Sequence, residues 1–250
     1  MPKINKDSTL NITFVGIGLC LLCSAIISFI AIQLRSVQEN NVVLDMQKKI
    51  VSSAGLDEVY GSVENAMSNI KTLIIDLDRG EIVDINPDTY ELSKELREDG
   101  KYKFLSAEED VASIKKREKY SKVYIEYKDN EINTLILPVR GYGLWGILYG
   151  YLAIEGDFNT VAGLEFYEHK ETPGLGAEID NPKWKALWKG KKIYQENGEV
   201  SLKVIKGSVM KTSDNFSYEI DGLSGATLTC NGVSNLIAYW MGNDLSLIHI

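Results

Sequence analysis

Three hydroxyls crowd one short stretch, Asp221-Gly-Leu-Ser-Gly-Ala-Thr-Leu-Thr229, at Ser224, Thr227 and Thr229. A hydroxyl in a turn of small residues suits phosphate chemistry. Gly225 opens backbone conformations closed to other residues and lets a bulky phosphate come close. Ala226 keeps the neighbourhood small, and Ser224 with the backbone N–H groups can donate to phosphate oxygens. The plainer reading is a turn leading into the helix-like run Val233 to Trp240. A second stretch, Glu171-Thr-Pro-Gly-Leu-Gly176, combines a proline with Gly174 and Gly176 in a fixed, open-sided turn. There Leu175 can form an apolar wall against a planar ring, while the Thr172 hydroxyl and Glu171 carboxylate serve its polar edge, though as a bare motif the loop is no better than a generic turn.

Other patterns carry less chemistry. Gly141-Tyr-Gly-Leu-Trp-Gly146 spells G-x-G-x-x-G, but a dinucleotide site needs a helix directly afterwards to receive the pyrophosphate. Ile147 to Ile154 reads instead as a strand, so NAD binding is not expected. Cys20 and Cys23 lie in an apolar run and lack the further ligands that a soft-metal site needs. With Cys230 they are the only three cysteines, so no intrachain disulfide can staple the rest of the chain. His169 stands alone, and Lys115-Lys-Arg-Glu-Lys119 reads as a solvated face. No nucleophilic triad or proton-abstracting pair is visible. The net charge of −8 argues against a nucleic-acid partner, which would call for a basic surface.

Positioning these residues takes an anchor and one domain. Ile12 to Ile32 contains no charged residue, and at ~1.5 Å per residue it spans the ~30 Å hydrocarbon core. Lys3 and Lys6 precede it, which places the N-terminus in the cytoplasm. A cleaved signal peptide would have a shorter apolar region and a small-x-small cleavage site. The expected organisation is a cytoplasmic 1–11, a transmembrane helix over 12–34, and an extracytoplasmic domain over 35–244.

Within the domain, Val42, Val43, Met46, Ile50 and Val51 recur at helical spacing before a capping Gly55. A helix is expected over Val59–Ile70, and a hairpin of Thr72–Leu77 with Glu81–Ile85 around Asp78-Arg-Gly80. Pro87 opens a helix to Arg97. Strands follow at Lys122–Tyr127 and Ile132–Val139, joined by Asp129-Asn130, then at Trp145–Ile154 and Val161–Tyr167. Trp184 and Trp188, after Pro182, fit one face of a short helix, and Val200–Ile205 another strand. The fold class is mixed α+β.

In order along the chain, these pieces resemble one family. The sequence is similar to the NqrC subunits of the bacterial Na+-translocating NADH:quinone oxidoreductases, within the FMN-binding domain superfamily. The resemblance runs through Cys23-Ser24, Val37-Gln-Glu-Asn-Asn41, Leu44-Asp45, Pro138 to Trp145, Leu148-Tyr-Gly150, His169 to Ala177, Asn181-Pro-Lys-Trp184, Trp188-Lys-Gly-Lys191 and the stretch ending at Thr227. It implies FMN esterified through its phosphate to Thr227, installed from FAD by a separate flavin transferase. The family motif ends at Thr227, which sets aside Thr229 as acceptor. Ser224, Gly225 and Ala226 would shape the acceptor loop, and Asp221 would serve transferase recognition. Glu171, Thr172, Gly174 and Leu175 would contact the flavin ring, and Trp145 either covers the ring or fills the core.

The resemblance further implies an electron carrier, single-pass in the bacterial inner membrane, with its flavin on the periplasmic side. It would relay single electrons between a membrane iron centre and the flavin of NqrB, in a complex with NqrA, NqrB, NqrD, NqrE and NqrF. The RnfG component of the Rnf complex shares the anchor, the E-T-P-G-L-G loop and the acceptor threonine, but is shorter between anchor and loop than Leu56–Asn133 here. From another class, a single-span extracytoplasmic sensor would hold no covalent flavin. Leu245-Ser-Leu-Ile-His-Ile250 matches the translation of a transposon adapter used in DNA library preparation, so 245–250 are read as an artefact.

Overall fold

The computed structural model describes residues 8–242; the tail 245–250 and most of the N-terminal 1–11 lie outside them. The first element, α1 (Thr9–Ser53), is one uninterrupted helix of 45 residues. It contains a stretch long and apolar enough to cross a membrane, with a mean hydropathy of 2.6. The apolar run and the helical pattern around Val42–Val51 are thus one element. The expected glycine follows, with Gly55 at φ 65°. By its contacts the chain divides between Asp45 and Met46.

The second unit is built on a sheet. After α2 (Leu56–Tyr60) and α3 (Val63–Asn69) come β1 (Ile70–Asp76), β2 (Glu81–Val83), α4 (Leu92–Glu95), β3 (Tyr102–Phe104) and β4 (Lys116–Glu118). Then β5 (Tyr120–Lys128), β6 (Glu131–Tyr142), β7 (Ile147–Glu155) and β8 (Val161–Glu168) complete the sheet. The short α5 (Pro182–Lys185), the strand pair β9 (Lys203–Val204) and β10 (Glu219–Ile220), and α6 (Thr227–Trp240) end the domain. The sheet runs β2-β1-β5-β6-β7-β8, with every neighbouring pair antiparallel. Asp129 and Asn130 both take positive φ, 54° and 66°, the geometry of a tight hairpin turn that matches strand twist.

Several expected elements are shorter or split. The helix over Val59–Ile70 breaks at Gly61, whose left-handed backbone ends α2, and Ser62 caps α3 by accepting from the Asn65 N–H. The helix from Pro87 to Arg97 is a 3-10 turn over Pro87–Thr89 and then α4, with extended Tyr90 between. The strand expected from Trp145 starts at Ile147, because Gly143–Gly146 turn the chain. Val200–Ile205 contributes only the two residues of β9, and α5 ends before Trp188.

Lys115–Lys119 is not a solvated face. Arg117 and Glu118 are buried; Arg117 pairs with Asp78 and Glu118 with Arg140 of β6. Pairing with residues distant in sequence turns this charge run inward, as buried charge requires.

Both faces of the sheet are covered. One carries Ile136, Tyr124 and Tyr151 against Ile50, Val51, Leu56 and Ala66 of the helices before β1. The other carries Leu137, Val139, Leu148 and Phe166 against Trp184, Trp188 and Val233, Leu236, Ile237 and Trp240 of α6. Two glycines let α6 approach β6 closely. A Cβ on Gly232 would lie 2.3 Å from the Tyr142 carbonyl oxygen, and one on Gly141 2.8 Å from Leu236 Cβ. Trp240 Nε1 donates to the Arg140 carbonyl at 2.7 Å and holds the C-terminal part of α6 in place.

Candidate functional site

Three loops meet beside the first turn of α6. One is the Gly143–Gly146 turn, where the Gly143 N–H donates to the Gly146 carbonyl and β7 follows antiparallel to β6. No helix begins there, which agrees with rejecting the G-x-G-x-x-G reading. The second is Glu171–Gly176, beyond β8. Thr172 O accepts from the Leu175 and Ala177 N–H groups, and Gly174 takes φ 75°, a left-handed conformation that favours glycine. The third is Asp221–Ala226, held from below by Trp184 Nε1, which donates to the Asp221 carbonyl at 2.8 Å.

Glu171 stitches them together. Its side chain is buried, Oε1 accepts the Leu144 and Trp145 N–H groups at 3.0 Å each, and Oε2 accepts the Thr229 hydroxyl at 2.5 Å. The fit is tight: a Cβ on Gly143 would lie 2.7 Å from Oε1, and one on Gly176 2.6 Å from Oε2. Beyond the ring contact expected of it, Glu171 holds the loops, since both its oxygens are engaged by protein donors. His169, given no role from sequence, supports the same loop: Nδ1 accepts the Glu171 N–H and Nε2 pairs with Asp180 at 2.8 Å.

Most of the other expected site residues are exposed around this clamp. Trp145 is 62% exposed, so it does not fill the core, and its Nε1 donates to Thr172 Oγ1 at 3.1 Å. Leu175 is 44% exposed and comes so close to the acceptor loop that a Cβ on Gly225 (φ 74°) would lie 3.0 Å from Leu175 Cδ2. Thr172, Gly174, Ser224 and Gly225 are exposed, while Ala226 is buried. Asp221 opens the same loop, and its Oδ1 accepts the Val209 N–H at 2.7 Å.

The two threonines differ sharply. Thr229 is fully buried and committed to Glu171, whereas Thr227, the first residue of α6, is exposed. The residue before it, Ala226, has no side-chain oxygen to cap the helix, so the first amides of α6 are left as donors with the positive end of the helix dipole behind them. An exposed hydroxyl, uncapped amides, a close glycine, and Leu175 with Trp145 as apolar neighbours fit the phosphate and the ring of FMN. Cys230 is buried beneath this turn, its Sγ accepts the Leu223 N–H, and burial pushes its thiol pKa up.

The FMN-binding domain family matches residues 143–242, which hold all three loops and α6. The NqrC subunit of the Na+-translocating NADH-quinone reductase of Pseudomonas aeruginosa is 46% identical over 245 residues, covering 96% of this chain and 94% of that protein. The corresponding subunit of Vibrio anguillarum is 41% identical, covering 96% and 92%. The crystal structure of NqrC from Shewanella oneidensis superposes with a TM-score of 0.71 at 30% identity, over 80% of this chain and 91% of that one. The sheet and its three loops therefore define a flavoprotein of electron transport built on an FMN-binding domain. The chain belongs to the NqrC family of Na+-translocating NADH-quinone reductase subunits.

Proposed function

We propose that this chain carries FMN covalently on Thr227 and relays single electrons between a membrane iron centre and the flavin of NqrB. What supports the attachment above all is the contrast between an exposed Thr227 on an uncapped helix turn and a buried, committed Thr229. Bound there, FMN supplies one-electron chemistry, and the protein supplies position. Ser224, Gly225 and the α6 amides receive the phosphate, while Leu175, Thr172, Gly174 and Trp145 border the ring. Glu171 keeps the three loops in register. A covalent link suits a relay, since retention of the cofactor then does not depend on its redox state.

In this reading residues 12–34 span the bacterial inner membrane once, and the domain lies on the periplasmic side among NqrA, NqrB, NqrD, NqrE and NqrF. The flavin transferase that loads it recognises the loop begun by Asp221. The long region between anchor and flavin loop and the Trp184/Trp188 stretch favour this complex over an Rnf-type carrier.

Expression with the transferase, followed by a denaturing gel, tests the attachment. The wild-type band should fluoresce under flavin excitation, Thr227→Val should be dark, and Thr229→Val should remain labelled. Fluorescence surviving Thr227→Val would overturn the reading.

A further inference from the structure

A small cavity of about 50 Å³ opens beside Thr227, between the start of α6 and the chain that follows β9. Lys206, Gly207, Gly222, Thr227, Cys230 and Asn231 border it. Lys206 is the one charged residue of this lining among the described residues. It is exposed, and neither its ammonium nor the Asn231 amide has a hydrogen-bond or ion-pair partner among the described residues. Unlike Lys49, Lys101, Lys103, Lys185 and Lys192, which are each paired with a carboxylate, Lys206 is not tied down by an ion pair among the described residues; what distinguishes it is its place beside Thr227 in the cavity lining.

The chain is placed there by backbone packing. The Gly222 N–H donates to the Gly207 carbonyl, and a Cβ on Gly222 would lie 2.2 Å from the Ile205 carbonyl oxygen. The backbone of the Lys206 segment and that of the acceptor loop are therefore in direct contact, and Lys206 and Thr227 line the same cavity.

We propose that Lys206 is a positioning residue for flavin attachment, binding the phosphoryl group that Thr227 receives and the phosphodiester anion that results. This rests on Thr227 being the acceptor. In the transfer, a bond forms between Thr227 Oγ and the phosphorus bearing the ribityl chain of FAD. The bond from that phosphorus to the adenylate oxygen breaks, AMP leaves with the electron pair, and the hydroxyl proton is released to the transferase or to solvent. Nothing is oxidised or reduced. Negative charge gathers on the phosphoryl oxygens during this exchange, and a mobile ammonium with no carboxylate to hold it can follow them. The uncapped α6 amides meet the same oxygens from the other side.

The test uses the full chain in detergent with limiting transferase and FAD, following covalent fluorescence over time. Lys206→Gln should slow labelling about tenfold, the loss expected for one charge-assisted contact. Lys206→Arg should recover most of the rate, and added salt should slow the wild type more than Lys206→Gln. Because Lys206 is exposed, both variants should keep the wild-type melting temperature. A labelled wild type with Lys206→Gln equally fast, or with Lys206→Arg as slow as Lys206→Gln, would overturn the role of Lys206 alone. A wild-type chain that stays dark would instead overturn the attachment at Thr227, and this role with it.

Discussion

Replacing Glu171 should loosen the site before it touches any cofactor. In Glu171→Ala, the Leu144 and Trp145 amides and the Thr229 hydroxyl all lose their acceptor. Hydrogen bonds to a charged group contribute about 1.5–3 kcal/mol each, so three sum to about 4.5–9 kcal/mol before relaxation. Leu144 and Trp145 lie at the surface, where water can reach their freed amides, whereas Thr229 is fully buried. The lower end therefore applies, about 4 kcal/mol, or a fall in Tm of about 8–16 °C for a domain of this size. Glu171→Gln keeps an oxygen for the two amides and a group that can pair with the hydroxyl, losing chiefly the charge assistance, about 1–2 kcal/mol. Urea and thermal unfolding of the full chain in detergent, followed by near-ultraviolet circular dichroism, measures both. Combining each variant with Thr229→Val gives the coupling, which should be strong for Glu171→Ala. If Glu171→Ala costs under about 1 kcal/mol, or if Gln is no better than Ala, the clamp is not what holds the loops together.

Other perturbations reach different parts of the domain. Gly232→Ala would place a Cβ 2.3 Å from the Tyr142 carbonyl and should cost about 3 kcal/mol by overpacking; an unchanged urea midpoint would show that α6 shifts freely on β6. The Asp157 carboxyl is pushed up by burial, but this is outweighed by donors from the Thr160 hydroxyl, the Asn159 and Thr160 amides and Lys192, so its pKa sits well below the usual carboxylate range. Its folded-state pKa being the lower, this contribution is complete above the unfolded value of about 3.9 and is lost as pH falls further. The stability gap between wild type and Asp157→Asn should therefore narrow below pH ~4, and a gap constant from neutral to acid pH would refute it. Cys230, with its thiol pKa raised by burial, should resist a thiol reagent in a Cys20→Ala/Cys23→Ala background until urea unfolds the chain. Rapid labelling of the folded protein would contradict its burial.

Much of the frame can be read from local pattern. The β5–β6 hairpin is written in Asp129-Asn130, both of which tolerate positive φ, and the near-continuous apolar runs of the central strands, such as Leu135–Val139, follow from having two covered faces. Thr227 is singled out by the family resemblance, since its small neighbours alone suit an ordinary turn, and the loops around it are marked by Gly174 and Gly225. What escapes is non-local. Lys115–Lys119 looks solvated because Asp78 and Arg140, which turn Arg117 and Glu118 inward, lie elsewhere in the sequence. The carboxylate of Glu171 looks available to a ligand because its donors lie 26, 27 and 58 residues away. Gly61 and Tyr90 interrupt helices whose apolar spacing carries on through the breaks.

The Glu171 clamp also bears on the order of events in the life of the chain. Its partners are two backbone amides and a threonine hydroxyl, all supplied by the polypeptide. The loops can therefore lock as soon as the sheet forms, with no small molecule required. On the proposed attachment, an enzyme acting at Thr227 would meet a surface already finished by the protein's own groups, and a misfolded copy would not present it.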